Sequence, residues 1–154
     1  MSSLDFGQVL LRLTAAVGAG ALIGLDRELR RKPAGLRTLA LVALGSAVFI
    51  LETVDNAQGV STEGTSRVIQ GVVTGVGFLG AGSILRGTTD ESVRGLTTAA
   101  SIWLAAATGI ACGLAQWPLV ASACALGLLV LGITPVERVI HNRRKSDSKD
   151  SSPV

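Results

Sequence analysis

One uncharged apolar stretch, Val68–Leu85, constrains this chain more than any other sequence feature. At a rise of about 1.5 Å per residue, a helix over this stretch would be roughly 27 Å long, close to the ~30 Å hydrocarbon core of a bilayer. The stretch holds five glycines, although each costs about 1 kcal/mol relative to alanine in an exposed helix interior. Glycines in an apolar helix allow a neighbouring helix to approach closely. We therefore predict that it forms the central transmembrane helix of a polytopic bundle.

The composition also favours a membrane protein. Charged residues make up 16% of the 154 residues, against about 25% in ordinary soluble proteins. Hydrophobic residues make up 48%, and the mean hydropathy is +0.52. The long apolar segments lack the polar face that a helix of a soluble bundle needs. With three phenylalanines, two tryptophans and no tyrosine, the chain is poorly equipped to stack on nucleic-acid bases.

Four further apolar segments complete the predicted fold, an all-α polytopic membrane helix bundle of five transmembrane helices. They run over Val9–Leu25, from Leu36 or Thr38 to Leu51, over Leu96–Leu114, and over Pro118–Val136. Residues 1–136 are predicted to form the transmembrane domain. Residues 137–154 are basic and then rich in serine, lysine and aspartate, which predicts a disordered cytoplasmic tail.

The positions of the basic residues predict the orientation of the bundle. Twelve of the fourteen lysines and arginines lie in segments on one side: Arg27, Arg30, Arg31, Lys32, Arg37, Arg86, Arg94, Arg138, Arg143, Arg144, Lys145 and Lys149. The other two, Arg12 and Arg67, lie on or near the opposite side. Because basic loops stay in the cytoplasm, the N-terminus is predicted outside and the C-terminus inside. Arg12 is expected to snorkel to the head groups, and contact with a pore or an acidic partner is the alternative.

Small residues at helical spacing predict where helices pack. Gly20 and Gly24 are four residues apart in the first span, and Gly71 and Gly75 repeat that spacing in the third. The predicted packing positions are Gly20, Gly24, Gly71, Gly75, Gly77, Gly80 and Gly82.

The chain carries little that could support catalysis. It has no phosphate-binding loop with lysine, no zinc-protease motif and no paired-cysteine metal motif, and its one histidine, His141, lies in the tail. No catalytic residue or cofactor is therefore expected. Acidic residues lie at the ends of the predicted helices, where one or two carboxylates can hold Mg²⁺ through water. Association with Mg²⁺ and a plain salt-bridge role remain open alternatives for these acids: Asp26, Glu28, Glu52, Asp55 and Glu63.

Four motifs in order resemble the MgtC/SapB family of bacterial inner-membrane proteins. They are Gly20-Ala21-Leu22-Ile23-Gly24-Leu25-Asp26-Arg27-Glu28, Ala34-Gly35-Leu36-Arg37-Thr38, Gly77-Phe78-Leu79-Gly80-Ala81-Gly82-Ser83-Ile84 and Arg94-Gly95-Leu96-Thr97-Thr98-Ala99-Ala100-Ser101-Ile102-Trp103. The resemblance implies a multi-pass protein of the bacterial inner membrane, linked to growth under magnesium limitation. Longer family members carry a soluble domain after the last span, which this chain is expected to lack.

The same motifs identify candidate functional residues on the predicted inner face: Asp26, Arg27, Glu28, Arg37, Arg94, Thr97 and Thr98. Arg37 and Arg94 each begin a helix on that side, so the two are predicted to clamp one structural feature or ligand. The alternative is that these charges only anchor the topology against anionic lipid.

Two functions from different classes follow. The favoured hypothesis is a non-enzymatic protein of magnesium homeostasis that acts through helix–helix contacts with itself, as a homo-oligomer, or with another membrane protein. The alternative is a transporter or channel for Mg²⁺ or another small solute. No acidic residue is predicted near the bilayer midplane, where transporters place their coupling sites, and this favours the first hypothesis. The expected partners are the lipid bilayer and membrane proteins, without nucleic acid.

Overall fold

Five helices and one short β-pairing make up the described chain. The computed structural model describes residues 4–54, 62–86 and 93–132. The helices are α1 (Phe6–Leu29), α2 (Leu36–Val54), α3 (Thr62–Gly82), α4 (Leu96–Gly113) and α5 (Trp117–Gly132). The prediction of an all-α bundle with five helices is confirmed. The predicted tail, residues 137–154, lies outside the described residues.

Three of the described helices are long and apolar enough to cross a membrane: α1, α2 and α4. The helix α5 is apolar but shorter. The helix α3 does not reach the same hydropathy, because its first turns carry Glu63, Arg67 and Gln70 and its remaining turns hold five glycines. It also ends at Gly82, so the predicted continuation to Leu85 is wrong. The sidedness of the bundle stays a prediction.

The core of the bundle is the contact of α1, α2 and α4. A Cβ atom at Gly20 of α1 would lie 2.5 Å from the carbonyl oxygen of Leu39 in α2, and one at Gly24 would lie 2.6 Å from the Cα of Leu36. A Cβ atom at Gly109 of α4 would lie 2.2 Å from the carbonyl oxygen of Ala43. Only glycine lets the backbones approach this closely. Small side chains continue the contact, since Ala16, Ala43, Ala47 and Ala105 are all fully buried.

The helix α3 lies at the edge of this core, so its prediction as the central helix is wrong. It contacts α4 at Gly80, where a Cβ atom would lie 3.5 Å from that of Ala99, an ordinary van der Waals distance. At four further glycines of α3 a Cβ atom would meet no atom within 4 Å: Gly71, Gly75, Gly77 and Gly82. The sequence prediction assumed that a glycine-rich face is covered by a neighbouring helix. Within the described chain, that cover is absent at these four positions.

Two strands of two residues each lie between α3 and α4. The strands β1 (Leu85–Arg86) and β2 (Val93–Arg94) pair in antiparallel fashion, where the sequence predicted only a short loop. Gly95 then caps α4 in the left-handed region, with φ at 98°. A Cβ atom there would lie 2.0 Å from the carbonyl oxygen of Ser83. Gly95 is therefore required both by its backbone angle and by the close passage of the chain after α3.

The two cysteines, Cys112 and Cys124, are free and buried. The hydroxyl of Ser46 donates to the carbonyl oxygen of Val42, at 2.8 Å, and that of Ser101 to the carbonyl oxygen of Thr97, at 2.8 Å. Such bonds satisfy a buried hydroxyl within its own helix.

Candidate functional site

A buried arginine joins three segments of the chain where α1 ends. Arg27 lies in the last turn of α1 and is 3% exposed. Its Nη2 donates to the hydroxyl of Thr98, in the first turn of α4, and at 3.4 Å to the carbonyl oxygen of Pro33. We call Arg27, Glu28, Pro33, Leu36 and Thr98 the Arg27 junction. It lies at the end of the bundle that the basic residues predict to be cytoplasmic.

Within the described residues, Arg27 forms no ion pair, although the charge of the neighbouring Asp26 interacts favourably with it. The neighbouring Asp26 instead accepts a hydrogen bond from Nε of Arg30, at 2.9 Å, one helical turn away. The Nε of Arg27 is buried and has no hydrogen-bond partner within the described chain. Burying the charge of Arg27 costs free energy, and this cost is offset by Asp26 and by the two hydrogen bonds at Nη2. Loss of either acceptor is therefore expected to lower the free energy of unfolding.

Glu28 connects the same turn of α1 to the start of α2. Its Oε2 accepts a hydrogen bond from the backbone N–H of Leu36, at 2.9 Å. Leu36 is the first residue of α2, and the first N–H groups of a helix have no partner within the helix. A carboxylate there also interacts favourably with the positive end of the helix dipole. Glu28 therefore caps α2 from a distance, and Gly35 provides the space, since a Cβ atom there would lie 2.8 Å from this Oε2.

The remaining predicted residues lie near the junction without joining it. Thr97 is exposed, next to the buried Thr98. Arg94 lies in β2, and Arg37 lines a groove between α2 and α3. Within the described residues, neither Arg37 nor Arg94 forms a side-chain hydrogen bond or an ion pair. A clamp formed by these two arginines on one ligand therefore stays a prediction.

The groove between α2 and α3, the α2/α3 groove, has a volume of about 780 Å³. Gly45 and Phe49 of α2 and Gly71 and Gly75 of α3 form part of its walls. The walls are almost entirely apolar apart from Arg37 at one end. The groove explains why two predicted packing glycines, Gly71 and Gly75, have no helix against them.

A second arginine joins α1 to α4 at the opposite end of the bundle. The Nη1 of Arg12 donates to the carbonyl oxygen of Gly113 at 2.8 Å. Gly113 is the last residue of α4, where carbonyl groups lack partners and the helix dipole favours a cation. The guanidinium of Arg12 therefore caps α4, and its predicted snorkelling to the head groups stays a prediction. The acceptor is a backbone carbonyl, not the pore or acidic partner considered as the alternative.

Sequence reasoning missed two packing positions on α4. Gly109 touches Ala43 of α2, and a Cβ atom at Gly113 would lie 2.8 Å from the Cγ2 of Ile50. The signal was present in the sequence, because Gly109 and Gly113 have the same four-residue spacing as Gly20 and Gly24.

A metal site requires several ligating side chains close together. Within residues 4–54, 62–86 and 93–132, no group of three or more histidine, cysteine, aspartate or glutamate side chains is placed to hold a metal ion.

Known proteins resemble this chain over most of its length. A sequence model of the MgtC family matches residues 13–142. Protein MgtC of Salmonella typhimurium (strain LT2) is 48% identical over 108 residues, which cover 70% of this chain and 44% of that protein. The chain therefore matches less than half of the length of that relative.

Two other relatives are matched over more of their length. Protein SrpB of Synechococcus elongatus is 45% identical over 147 residues, covering 88% of this chain and 80% of that protein. A protein of Escherichia coli (strain K12) named "Putative magnesium transporter YhiD" is 40% identical over 131 residues, covering 82% of this chain and 60% of that protein. No solved structure matches the chain. With a family match over most of its residues and apolar helices suited to a bilayer, the chain is a membrane protein that belongs to the MgtC family.

Proposed function

We propose that this chain is a non-enzymatic, multi-pass protein of the bacterial inner membrane that serves magnesium homeostasis. It acts through helix contacts with itself or with another membrane protein. Support for the magnesium role comes from family membership and from the name of the E. coli relative. Support for the location comes from three apolar helices of membrane-spanning length.

One observation carries the choice of contact over transport: the hydroxyl groups of Ser46, Ser101 and Thr108, buried along the helices, already donate hydrogen bonds within their own helices. Thr108, which is 1% exposed, donates to the carbonyl oxygens of Leu104 and Ala105 at 3.1 and 2.9 Å. Ser46 and Ser101 bond within their own helices in the same way. The acidic residues of the described helices lie near helix ends: Asp26, Glu28, Glu52 and Glu63. A coupling site for Mg²⁺ would need oxygen ligands gathered at one point.

The surface proposed for a protein partner is the exposed side of α3 near its end. Phe78 is 81% exposed, and a Cβ atom at Gly77 or Gly82 would meet no atom within 4 Å. A large aromatic side chain beside two glycines can offer a neighbouring helix both a knob and a close backbone approach. Contact there requires no change in the core of α1, α2 and α4.

Growth at low magnesium tests this proposal. The chain is expressed in a bacterial strain whose own homologue has been deleted, and growth in low-magnesium and magnesium-replete medium is compared. We expect the wild-type chain and Gly18→Leu to restore growth at low magnesium, because a Cβ atom at Gly18 also has open space. Gly77→Leu should reach the membrane at the same level but fail to restore growth. If the wild-type chain does not restore growth, the magnesium role is wrong. Full growth with Gly77→Leu would show that the exposed side of α3 does not form the proposed contact with a partner.

The alternative function is transport of Mg²⁺ or another small solute. It is favoured by the name of the E. coli relative. The two functions differ in one measurable respect, which is whether the purified protein moves Mg²⁺ across a sealed bilayer.

A further inference from the structure

The α2/α3 groove has an unusual combination of an apolar channel and one charged end. It extends along α2 from Arg37 to Phe49 and along α3 from Leu79 back to Val68. The rise from Arg37 to Phe49 is about 18 Å at 1.5 Å per residue. Half of a ~30 Å hydrocarbon core is about 15 Å. The groove therefore has the length of the hydrocarbon region of one leaflet.

No side chain of the described chain fills this groove. A Cβ atom at Gly45, Gly71 or Gly75 would meet no atom within 4 Å. Phe49 is 60% exposed and Leu79 50%, so the far end and the charged end are both open at the side. In a bilayer, a space of this kind is accessible to hydrocarbon chains from the surrounding lipid.

Arg37 sets the chemistry of the charged end. It is the second residue of α2 and is exposed, and within the described residues its guanidinium has no hydrogen-bond or ion-pair partner. It is the last residue of the segment 26–37, which holds five basic residues, Arg37 included, and two acidic ones. A planar guanidinium binds a phosphate group through two parallel hydrogen bonds.

We propose that the α2/α3 groove binds an anionic phospholipid, with the phosphate at Arg37 and the hydrocarbon chains along Gly45, Gly71 and Gly75. The charge at the groove's end favours lipid over a second copy of this chain. A second copy would bring its own basic segment 26–37 close to Arg37, and like charges would repel. An anionic lipid complements the same charge. Binding here does not depend on a magnesium role.

Native mass spectrometry of the purified full chain tests the proposal. The protein is titrated with phosphatidylglycerol and, separately, with phosphatidylethanolamine that has the same hydrocarbon chains. The two lipids differ in net charge and not in the part that enters the groove. We expect phosphatidylglycerol to bind more tightly. Arg37→Gln should weaken its binding about fivefold and leave phosphatidylethanolamine unchanged, in line with the contribution of one basic residue near an anionic surface.

Substitutions that fill the groove test its hydrocarbon-binding part separately from the charged end at Arg37. Gly75→Leu and, on the opposite wall, Gly45→Leu should weaken the binding of both lipids, because the added side chain occupies the space of the hydrocarbon. The matched controls are Gly18→Leu, at an open position on α1, and Arg67→Gln, at an exposed basic residue of α3 that belongs neither to the segment 26–37 nor to the walls of the groove. Both should bind lipid like the wild type.

Two results would overturn the proposal. One is binding of phosphatidylglycerol to Arg37→Gln that equals binding to the wild type. The other is a dimer in the wild-type spectrum that Gly75→Leu abolishes while lipid binding persists, since the groove would then be an interface between copies. Arg37 is exposed, so Arg37→Gln keeps the test decisive even if a leucine variant fails to fold.

Discussion

Arg27 of α1 donates a hydrogen bond to the hydroxyl of Thr98 of α4, across 71 positions of the chain. Both side chains are buried, at 3% and 2% exposure. The bond ties the end of the first helix to the start of the fourth, and the carbonyl oxygen of Pro33 brings in the segment that leads to α2. One guanidinium thus fixes the relative positions of the three helices that form the core.

Replacing Thr98 by valine tests how much this bond contributes. The valine has nearly the same shape but no acceptor, so the guanidinium of Arg27 loses a buried partner. Hydrogen bonds to charged groups contribute about 1.5–3 kcal/mol, and we expect the free energy of unfolding to fall by about that amount. The midpoint of denaturation in detergent measures it, and Thr98→Ser should restore much of the loss.

The neighbouring Thr97 provides the control for this prediction. It is exposed, so Thr97→Val removes a hydroxyl from the same helix turn without touching Arg27. We expect it to unfold like the wild type. Equal midpoints for Thr97→Val and Thr98→Val would show that the buried bond contributes nothing measurable.

The glycines of the core and of α3 should respond oppositely to alanine. Gly24→Ala and Gly109→Ala place a Cβ atom at 2.6 and 2.2 Å from backbone atoms of α2, and overpacking of this kind typically costs about 1–3 kcal/mol. Gly75→Ala meets no atom within 4 Å and should leave stability unchanged or raise it by up to about 1 kcal/mol, from helix propensity.

Denaturation midpoints of the three alanine variants, together with their levels in the membrane, check this order. The variants differ only in position, since each adds one methyl group within a helix. If Gly75→Ala is destabilised as strongly as Gly24→Ala, α3 is packed more tightly than the structure indicates.

These glycines also show where sequence reasoning ends. Apolar runs and their charged boundaries predicted all five helices. A bilayer core requires helices that are long and apolar, and both properties can be read directly from the sequence. Glycine spacing predicts a smooth helix face but does not reveal whether anything covers it. Gly20 and Gly24 lie against α2, whereas Gly71 and Gly75, at the same spacing, line an open groove.

The candidate site was predictable in composition but not in geometry. The motif containing Asp26, Arg27 and Glu28 lies in the turn of α1 that forms the Arg27 junction, but these three adjacent charges have three different structural roles. Asp26 pairs with Arg30, Arg27 enters the core, and Glu28 caps α2. Which side chain turns inward depends on the angle at which α2 and α4 cross α1, and the sequence does not encode that angle in any local pattern.

The capping role of Glu28 predicts a local effect. Glu28→Ala leaves the N–H of Leu36 without its acceptor, and loss of a helix cap costs about 0.5–2 kcal/mol. We expect faster hydrogen exchange at the amides of the first turn of α2, measured by mass spectrometry. Glu63→Ala is the control, because Glu63 forms an exposed pair with Arg67 within α3. If the exchange rate of the Leu36 amide is the same in Glu28→Ala and in the wild type, Glu28 does not cap α2.

The orientation of the bundle is tested by cysteine labelling. A membrane-impermeant thiol reagent added to intact cells should label a cysteine introduced at Asn56 and should not label one at Ser148. Both positions lie outside the described residues. The native Cys112 and Cys124 are buried, so the parent protein provides a low background. Labelling at position 148 and not at 56 would reverse the predicted topology.

Magnesium flux tests the central claim most directly, namely that this chain serves magnesium homeostasis without transporting the ion. Purified protein is reconstituted into liposomes that contain a magnesium-sensitive dye, and Mg²⁺ is added outside. The engaged hydroxyls of Ser46, Ser101 and Thr108 and the terminal positions of the acids predict entry no faster than in protein-free liposomes. Entry that rises with the amount of reconstituted protein would contradict the account and favour a transporter.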